Sequence, residues 1–177
     1  MSSIDLIRKL DEGNRKYLAS CNFDLMHHTA VNGQHPYAIV ICCSDSRVIP
    51  DRIFSSDIGD LFVIRVAGNV LDNHQMGSIE YAASHLGCKL IVLLGHTGCG
   101  AVTATIKGES EGYITYITED IKQAIGNEKD PDRACEMNVH HCVATIRKEF
   151  AQHPEIADAT VRGAIYDIEK GTVRWLD

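Results

Sequence analysis

Apolar residues along the chain fall into two rhythms. Near the start Ile4, Ile7, Leu10, Tyr17 and Leu18 recur at close to helical spacing among charged residues, which predicts an amphipathic helix over residues 4–19 with a stripe that packs on something else. A polar stretch follows, with His27, His28, Asn32, Gly33 and Pro36, and reads as a loop carrying two solvated histidines. Tyr37-Ala-Ile-Val-Ile-Cys-Cys43 is then apolar without interruption. That is the pattern of a short strand buried on both faces, and such strands belong inside parallel sheets.

The alternation continues. Leu61–Val66 and Lys89–Leu94 read as further strands and Gln75–Leu86 as a helix between them. Helical composition returns over 101–106, 115–125 and 131–150, with Pro131 where a first-turn proline is tolerated. Thr160–Ile168 and Thr172–Leu176 read as two strands joined through Glu169-Lys-Gly171, a hairpin in which Gly171 supplies the unusual backbone angle. The whole predicts an α/β fold: a mainly parallel central β-sheet flanked by helices, a C-terminal antiparallel hairpin or edge strand, and an N-terminal helical arm over residues 1–30. No repeat, low-complexity tract or linker interrupts it, so residues 1–177 are expected to form a single domain.

Composition narrows the classes. With 45% hydrophobic and 23% charged residues the chain suits a globular domain with a sizeable core. Its longest apolar runs fall short of the roughly 20 residues a membrane helix needs, and the first residues lack the apolar centre of a signal peptide. The expectation is a soluble, cytoplasmic protein without a membrane partner. Twenty-four acidic against 17 basic residues give a net charge of −7, which leaves no general basic surface for nucleic acid. Seven cysteines, at 21, 42, 43, 88, 99, 135 and 142, are an odd number without a secreted framework and fit a reducing compartment. There a thiol is either a small buried hydrophobe or a metal-held thiolate.

Two segments carry candidate chemistry. Cys43-Ser-Asp45-Ser-Arg47 ends the first core strand and His96-Thr-Gly-Cys99-Gly100 ends the third, so both open on the carboxyl edge of the sheet, where ligands of such folds collect. Residues 43, 45 and 47 alternate in what reads as an extended segment, and His96 and Cys99 are three apart at a helix start. Two thiolates, an imidazole and a carboxylate suit Zn²⁺ better than Mg²⁺ or Ca²⁺. Asp45 has two options, to close the zinc shell as in a structural site or to pair with Arg47 and leave the fourth position open. The alternative to any metal is a pair of buried structural thiols beside a hydrogen-bonded histidine.

Other motifs carry less. Cys135 and Cys142 share one face of the long helix while His140 and His141 point elsewhere, so these four read as structural or surface residues, and Cys42, which faces away from Cys43, reads as a core thiol. Gly95–Gly100 lacks the ending of a phosphate-binding loop. Arg65, inside an apolar strand, reads as an ion-paired structural residue.

Taken together, Cys-Ser-Asp-Ser-Arg followed by His-Thr-Gly-Cys-Gly resembles the β-class carbonic anhydrases. The likeness extends to Gly33-Gln-His-Pro36, Gly59–Arg65, Ala67-Gly-Asn69 and Gly77–Ala82. The resemblance, which is to the plant-type subgroup in a short chain, implies one zinc per chain held by Cys43, His96 and Cys99, with Asp45 and Arg47 gating its fourth position. It implies that Gln34 hydrogen-bonds bicarbonate, that Phe62, Ala67 and Tyr81 line a small apolar pocket, and that the Gly100 N–H orients substrate. The implied activity is reversible hydration of CO2 to bicarbonate and a proton by attack of zinc-bound hydroxide, rising with pH as water ionises and the Asp45–Arg47 pair forms. The same scaffold also suits COS or CS2 hydrolysis or a catalytically silent zinc module. Relatives are usually homodimers or higher even homo-oligomers whose clefts include residues of both subunits, which would have the first helix clasp a partner. Val66 departs from the pattern, standing where relatives often have Asn.

Overall fold

Side chains next to the chain start fix the first two helices of the computed structural model, which describes residues 2–153 and 156–176. Helix α1 (Ser3–Ser20) opens on a capping box: the Ser2 hydroxyl accepts from the Asp5 N–H while the Asp5 carboxylate accepts from the Ser2 N–H. Helix α2 (Phe23–Asn32) occupies the stretch expected to be a loop. Asn22 caps it by accepting from the Leu25 N–H at 3.1 Å, and Gly33, at φ 84°, ends it by donating to the Thr29 carbonyl. His27 and His28 are therefore exposed helix residues, not loop residues. Neither helix buries a residue. Contacts divide the chain after Gln34, and these two helices make up the first unit.

The second unit is built on five strands: β1 (Ala38–Cys42), β2 (Leu61–Arg65), β3 (Leu90–His96), β4 (Thr160–Asp167) and β5 (Thr172–Leu176). Their spatial order is β2-β1-β3-β4-β5, with the first four parallel and β5 antiparallel to β4, as the alternation and the terminal hairpin predicted. The chain steps from β1 to β2 on one side and then crosses to β3 on the other. Such a reversal opens a crevice beyond the carboxyl ends of the two adjacent strands, here β1 and β3.

Helix α3 (Pro50–Ile53) links β1 to β2, and α4 (Asn73–His85) links β2 to β3. Helices α5 (Gly100–Lys107), α6 (Ile114–Ile125) and α7 (Pro131–Phe150) follow β3. Helix α4 starts before the expected Gln75 because Asp72 caps it, accepting from the N–H groups of His74 and Gln75. Strand alternation sends Ile39, Ile41, Ile91 and Leu93 into the main core with Ile79, Val102, Ile121, Val139 and Ile146. Val40, Cys42, Val92 and Leu94 face the opposite layer with Val48. Two glycines let α7 come close: a Cβ on Gly95 would stand 2.5 Å from Val139 Cγ2, and one on Gly163 2.8 Å from Val139 Cγ1. That approach brings the middle of α7 against the carboxyl end of β3.

Candidate metal centre

Cys43 follows the last residue of β1, His96 is the last residue of β3 and Cys99 is the N-cap of α5. Each offers one ligand atom, and the three atoms lie within 4.8 Å of one another, the one such group among the described residues. All three side chains are buried, at 5%, 1% and 2% exposure. Three donors from segments remote in sequence thus meet in the crevice that the strand order creates.

The imidazole has its tautomer fixed. Its Nδ1 lies 2.9 Å from the Thr97 carbonyl, which only accepts, so Nδ1 carries the proton and Nε2 the lone pair. Nε2 is buried without a hydrogen-bond partner. A buried, unpartnered lone pair costs free energy unless something at the site satisfies it, and a cation between it and two sulfurs would do so. Burial lowers the basicity of His96, but the neighbouring Cys43 sulfur outweighs it and the net shift is upward.

The two thiols are not equivalent. Cys43 is driven well down, first by its interaction with the Cys99 thiol, with burial opposing and His96 adding to the fall. The backbone N–H groups of Gly68, at 3.3 Å, and Asp45, at 3.4 Å, also donate to it. Cys99 is driven up, first by that same interaction and then by burial. A soft donor set of two sulfurs and one imidazole fits Zn²⁺.

Asp45 does not join the three. Residues 45–48 form a turn, closed by Val48 N–H to Asp45 O at 2.9 Å, so the segment is not extended through Arg47 as expected. The Asp45 carboxylate instead meets Arg47 in a fork: Nε donates to Oδ1 at 3.0 Å and Nη2 to Oδ2 at 2.7 Å, while the Arg47 N–H also donates to Oδ1 at 3.0 Å. These bonds hold the Asp45 carboxyl far below the usual carboxylate range. Arg65, expected to be ion-paired, ties down the same turn by donating to the carbonyls of Cys43 (3.3 Å) and Asp45 (2.8 Å). An arginine closing an otherwise apolar strand next to the motif was the available signal.

The remaining expected residues separate into near and far. Ala67 belongs to a short 3-10 turn (Ala67–Asn69) and precedes the glycine that hydrogen-bonds Cys43. Gly100, the first residue of α5, is exposed, with open space where a side chain would be. Phe62 is different. It pairs with Ile39 in the sheet, four residues before Cys43, and so lies about 13 Å back along the strands. Tyr81 accompanies it, with ring centroids 6.3 Å apart. The structure thus does not bring Phe62 and Tyr81 to the Cys43 of their own chain; they sit at the outer edge of the sheet, where β2 has one neighbour. Gln34 is exposed and belongs to the first unit. Cys42, Cys135 and Cys142 are buried, with burial pushing Cys42 and Cys142 up to about 12 and Cys135 up to about 11.

Comparisons agree with the chemistry of this donor set. Residues 38–173 match the profile of the carbonic anhydrase family. The chain is 33% identical over 171 residues to carbonic anhydrase 2 of Mycobacterium tuberculosis (strain CDC 1551 / Oshkosh), covering 89% of this chain and 82% of that protein. Among solved structures it is similar to the β-carbonic anhydrase CafA of the fungal pathogen Aspergillus fumigatus, with a TM-score of 0.82 at 28% identity over 97% of this chain and 90% of that one. It is also similar to two tetrameric β-carbonic anhydrases of the filamentous ascomycete Sordaria macrospora, with a TM-score of 0.75 at 25% identity over 98% and 95%.

Proposed function

The chain belongs to the β-class carbonic anhydrases, and from that premise we propose that it interconverts CO2 and bicarbonate at a zinc ion held by Cys43, His96 and Cys99. The observation that carries this reading is the convergence of those three ligand atoms while the nearest carboxylate, Asp45, is engaged by Arg47. Zinc, when bound, supplies the Lewis acidity that brings ionisation of water toward about pH 7.

The chain's own groups supply the rest. Thr97 keeps the His96 lone pair on Nε2. Gly68 and Asp45 N–H groups spread part of the Cys43 charge into the backbone. Asp45 Oδ1 already accepts twice from Arg47, whereas Oδ2 accepts once and keeps a lone pair. Oδ2 is thus the atom that accepts a hydrogen bond from the reacting water and turns its own lone pair toward carbon. The Gly100 N–H orients substrate at the start of α5.

Phe62 and Tyr81 serve a site in a second copy of the chain, with Ala67 as the wall from the metal-bearing subunit. Their place on the sheet edge supports this, as does the tetrameric state of the Sordaria macrospora relatives. The protein is accordingly a homodimer or a higher even homo-oligomer. Seven free cysteines support a reducing, cytoplasmic setting, and among the described residues no helix is long and apolar enough to cross a membrane.

Zinc analysis with stopped-flow CO2 hydration between about pH 6.5 and 9 tests the reading. One zinc per chain and hydration that rises with pH are expected, the rise being alkaline because two thiolates oppose acidification of water. One zinc without hydration at any pH would make the chain a silent zinc module. Rapid sulfide release from COS or CS2 with negligible hydration would make it a hydrolase of those substrates.

A further inference from the structure

The 3-10 turn at Ala67–Asn69 is unusual in its backbone. Gly68 and Asn69 are consecutive left-handed residues, with φ of 69° and 46°. A non-glycine residue in that region is uncommon and persists where its surroundings hold it. The turn leaves no room beside Gly68, since a Cβ there would stand 2.7 Å from Ile121 Cδ1 and 3.1 Å from Ala101 Cβ. Its one visible product is a backbone N–H, that of Gly68, delivered 3.3 Å from the Cys43 sulfur.

What holds the turn comes from α7. Asn138, 2% exposed, donates from Nδ2 to the Gly68 carbonyl at 2.8 Å. One helical turn further on, the Cys142 thiol lies 3.6 Å from the Asn69 carbonyl. A buried amide in mid-helix makes no contribution to an apolar core and costs free energy unless it is paired. Here its partner is the residue that hydrogen-bonds a metal ligand. Gly95 and Gly163 permit α7 to approach closely enough for the reach.

We propose that Asn138 is a positioning residue of the metal centre: it pins the Gly68 carbonyl so that the Gly68 N–H stays aimed at the Cys43 sulfur and tunes that sulfur as a ligand. The assignment rests on the metal reading above and deepens it. A hydrogen bond to a thiolate lowers its donor energy, and outer groups of this kind typically change metal affinity or activity by about 10–100-fold.

Cobalt(II) loaded into the full-length protein gives a readout independent of turnover, the sulfur-to-cobalt charge-transfer absorption. In Asn138→Ala that band should move to longer wavelength, and a competing chelator should strip zinc at roughly tenfold lower concentration than from the wild type. Ile146→Val, a loss of core volume on the same helix, should leave both unchanged. An Asn138→Ala protein that is folded, binds cobalt and matches wild type in band position and chelator competition overturns the proposal. If it does not fold, Asn138→Asp keeps the volume and replaces the donor with an acceptor, and the same two readouts apply. If neither variant folds, the wild-type protein loaded with ¹¹³Cd decides: a protected Gly68 amide coupled to the metal supports the link, and a freely exchanging one overturns it. A wild-type protein that takes up no cobalt overturns the metal reading together with this one.

Discussion

Asp45 and Arg47 form a bidentate pair whose arginine is more than half exposed, and an ion pair in that setting adds at most about 1 kcal/mol to stability. Under the proposed function its value is positional, because the fork holds both Asp45 oxygens on Arg47 and leaves the metal to Cys43, His96 and Cys99. Removing either partner should then cost turnover, not folding. Asp45→Ala and Arg47→Ala are each expected to keep one zinc and lose roughly 10²-fold in kcat. The double variant should fall little further, since the two act as one unit. Stopped-flow hydration with zinc analysis checks this, and fully multiplicative losses would separate the roles. The pH dependence has a definite sign. Arg47 holds Asp45 below its ordinary value, so the pair's stabilisation is fully present above the unfolded value of about 3.9 and disappears as pH falls through the lower folded value. The urea midpoint difference between wild type and Asp45→Asn should therefore stay constant from about pH 8 to 5 and shrink only below about pH 4. Because Asp45 is held low, the rise of hydration with pH is expected to follow ionisation of water and to be unchanged in midpoint by protonation of this carboxylate, which the pH profile of the wild type would show.

Close packing of α7 on β3 and β4 is what places Asn138, and it depends on Gly95 having no side chain. Gly95→Ala would drive a Cβ into Val139 Cγ2 and, at 2.9 Å, Ile165 Cδ1, so a loss of about 1–3 kcal/mol is expected in urea denaturation. The elements most legible in the sequence were those whose signal is contiguous. Uninterrupted apolar runs marked β1 and β3, and the residues that end them, Cys43, His96 and Cys99, converge because the strands are neighbours. Helix α2 was hidden because two adjacent histidines and a threonine split its five apolar residues into two short groups, although Asn22 and Gly33 flank it in capping positions. The turn at 45–48 was read as extended because alternation alone does not reveal the Val48-to-Asp45 bond that closes it. Arg65 stood out as a charge in an apolar strand, but neither its role nor those of Gly68 and Asn138 could be found from local pattern. Their partners are 20 to 70 positions away in sequence, and only the folded sheet brings them together.

Phe62 and Tyr81 present a conflict that one copy of the chain cannot resolve. The resemblance puts them in the substrate pocket, yet β2 pairing holds Phe62 about 13 Å from the Cys43 of its own chain. Both lie where the sheet ends, Tyr81 is about half exposed, and an open sheet edge is a natural surface for a second copy. Helix α1 adds a further unsatisfied surface, with Ile4, Ile7 and Leu10 all exposed. If the pocket is shared, the defects of two inactive variants should complement each other. Cys43→Ala removes a metal ligand but keeps Phe62 and Tyr81, whereas Phe62→Ala keeps the metal but loses the pocket wall. Each should be weak alone. Subunits mixed after dissociation should regain part of the wild-type hydration rate, because a mixed dimer holds one site with its metal from one copy and its Phe62 from the other. A pocket confined to one chain predicts the opposite: the mixed sample would show only the average of the two weak enzymes, whatever the time allowed for exchange. Light scattering before and after mixing would confirm that subunits had exchanged and dimers re-formed.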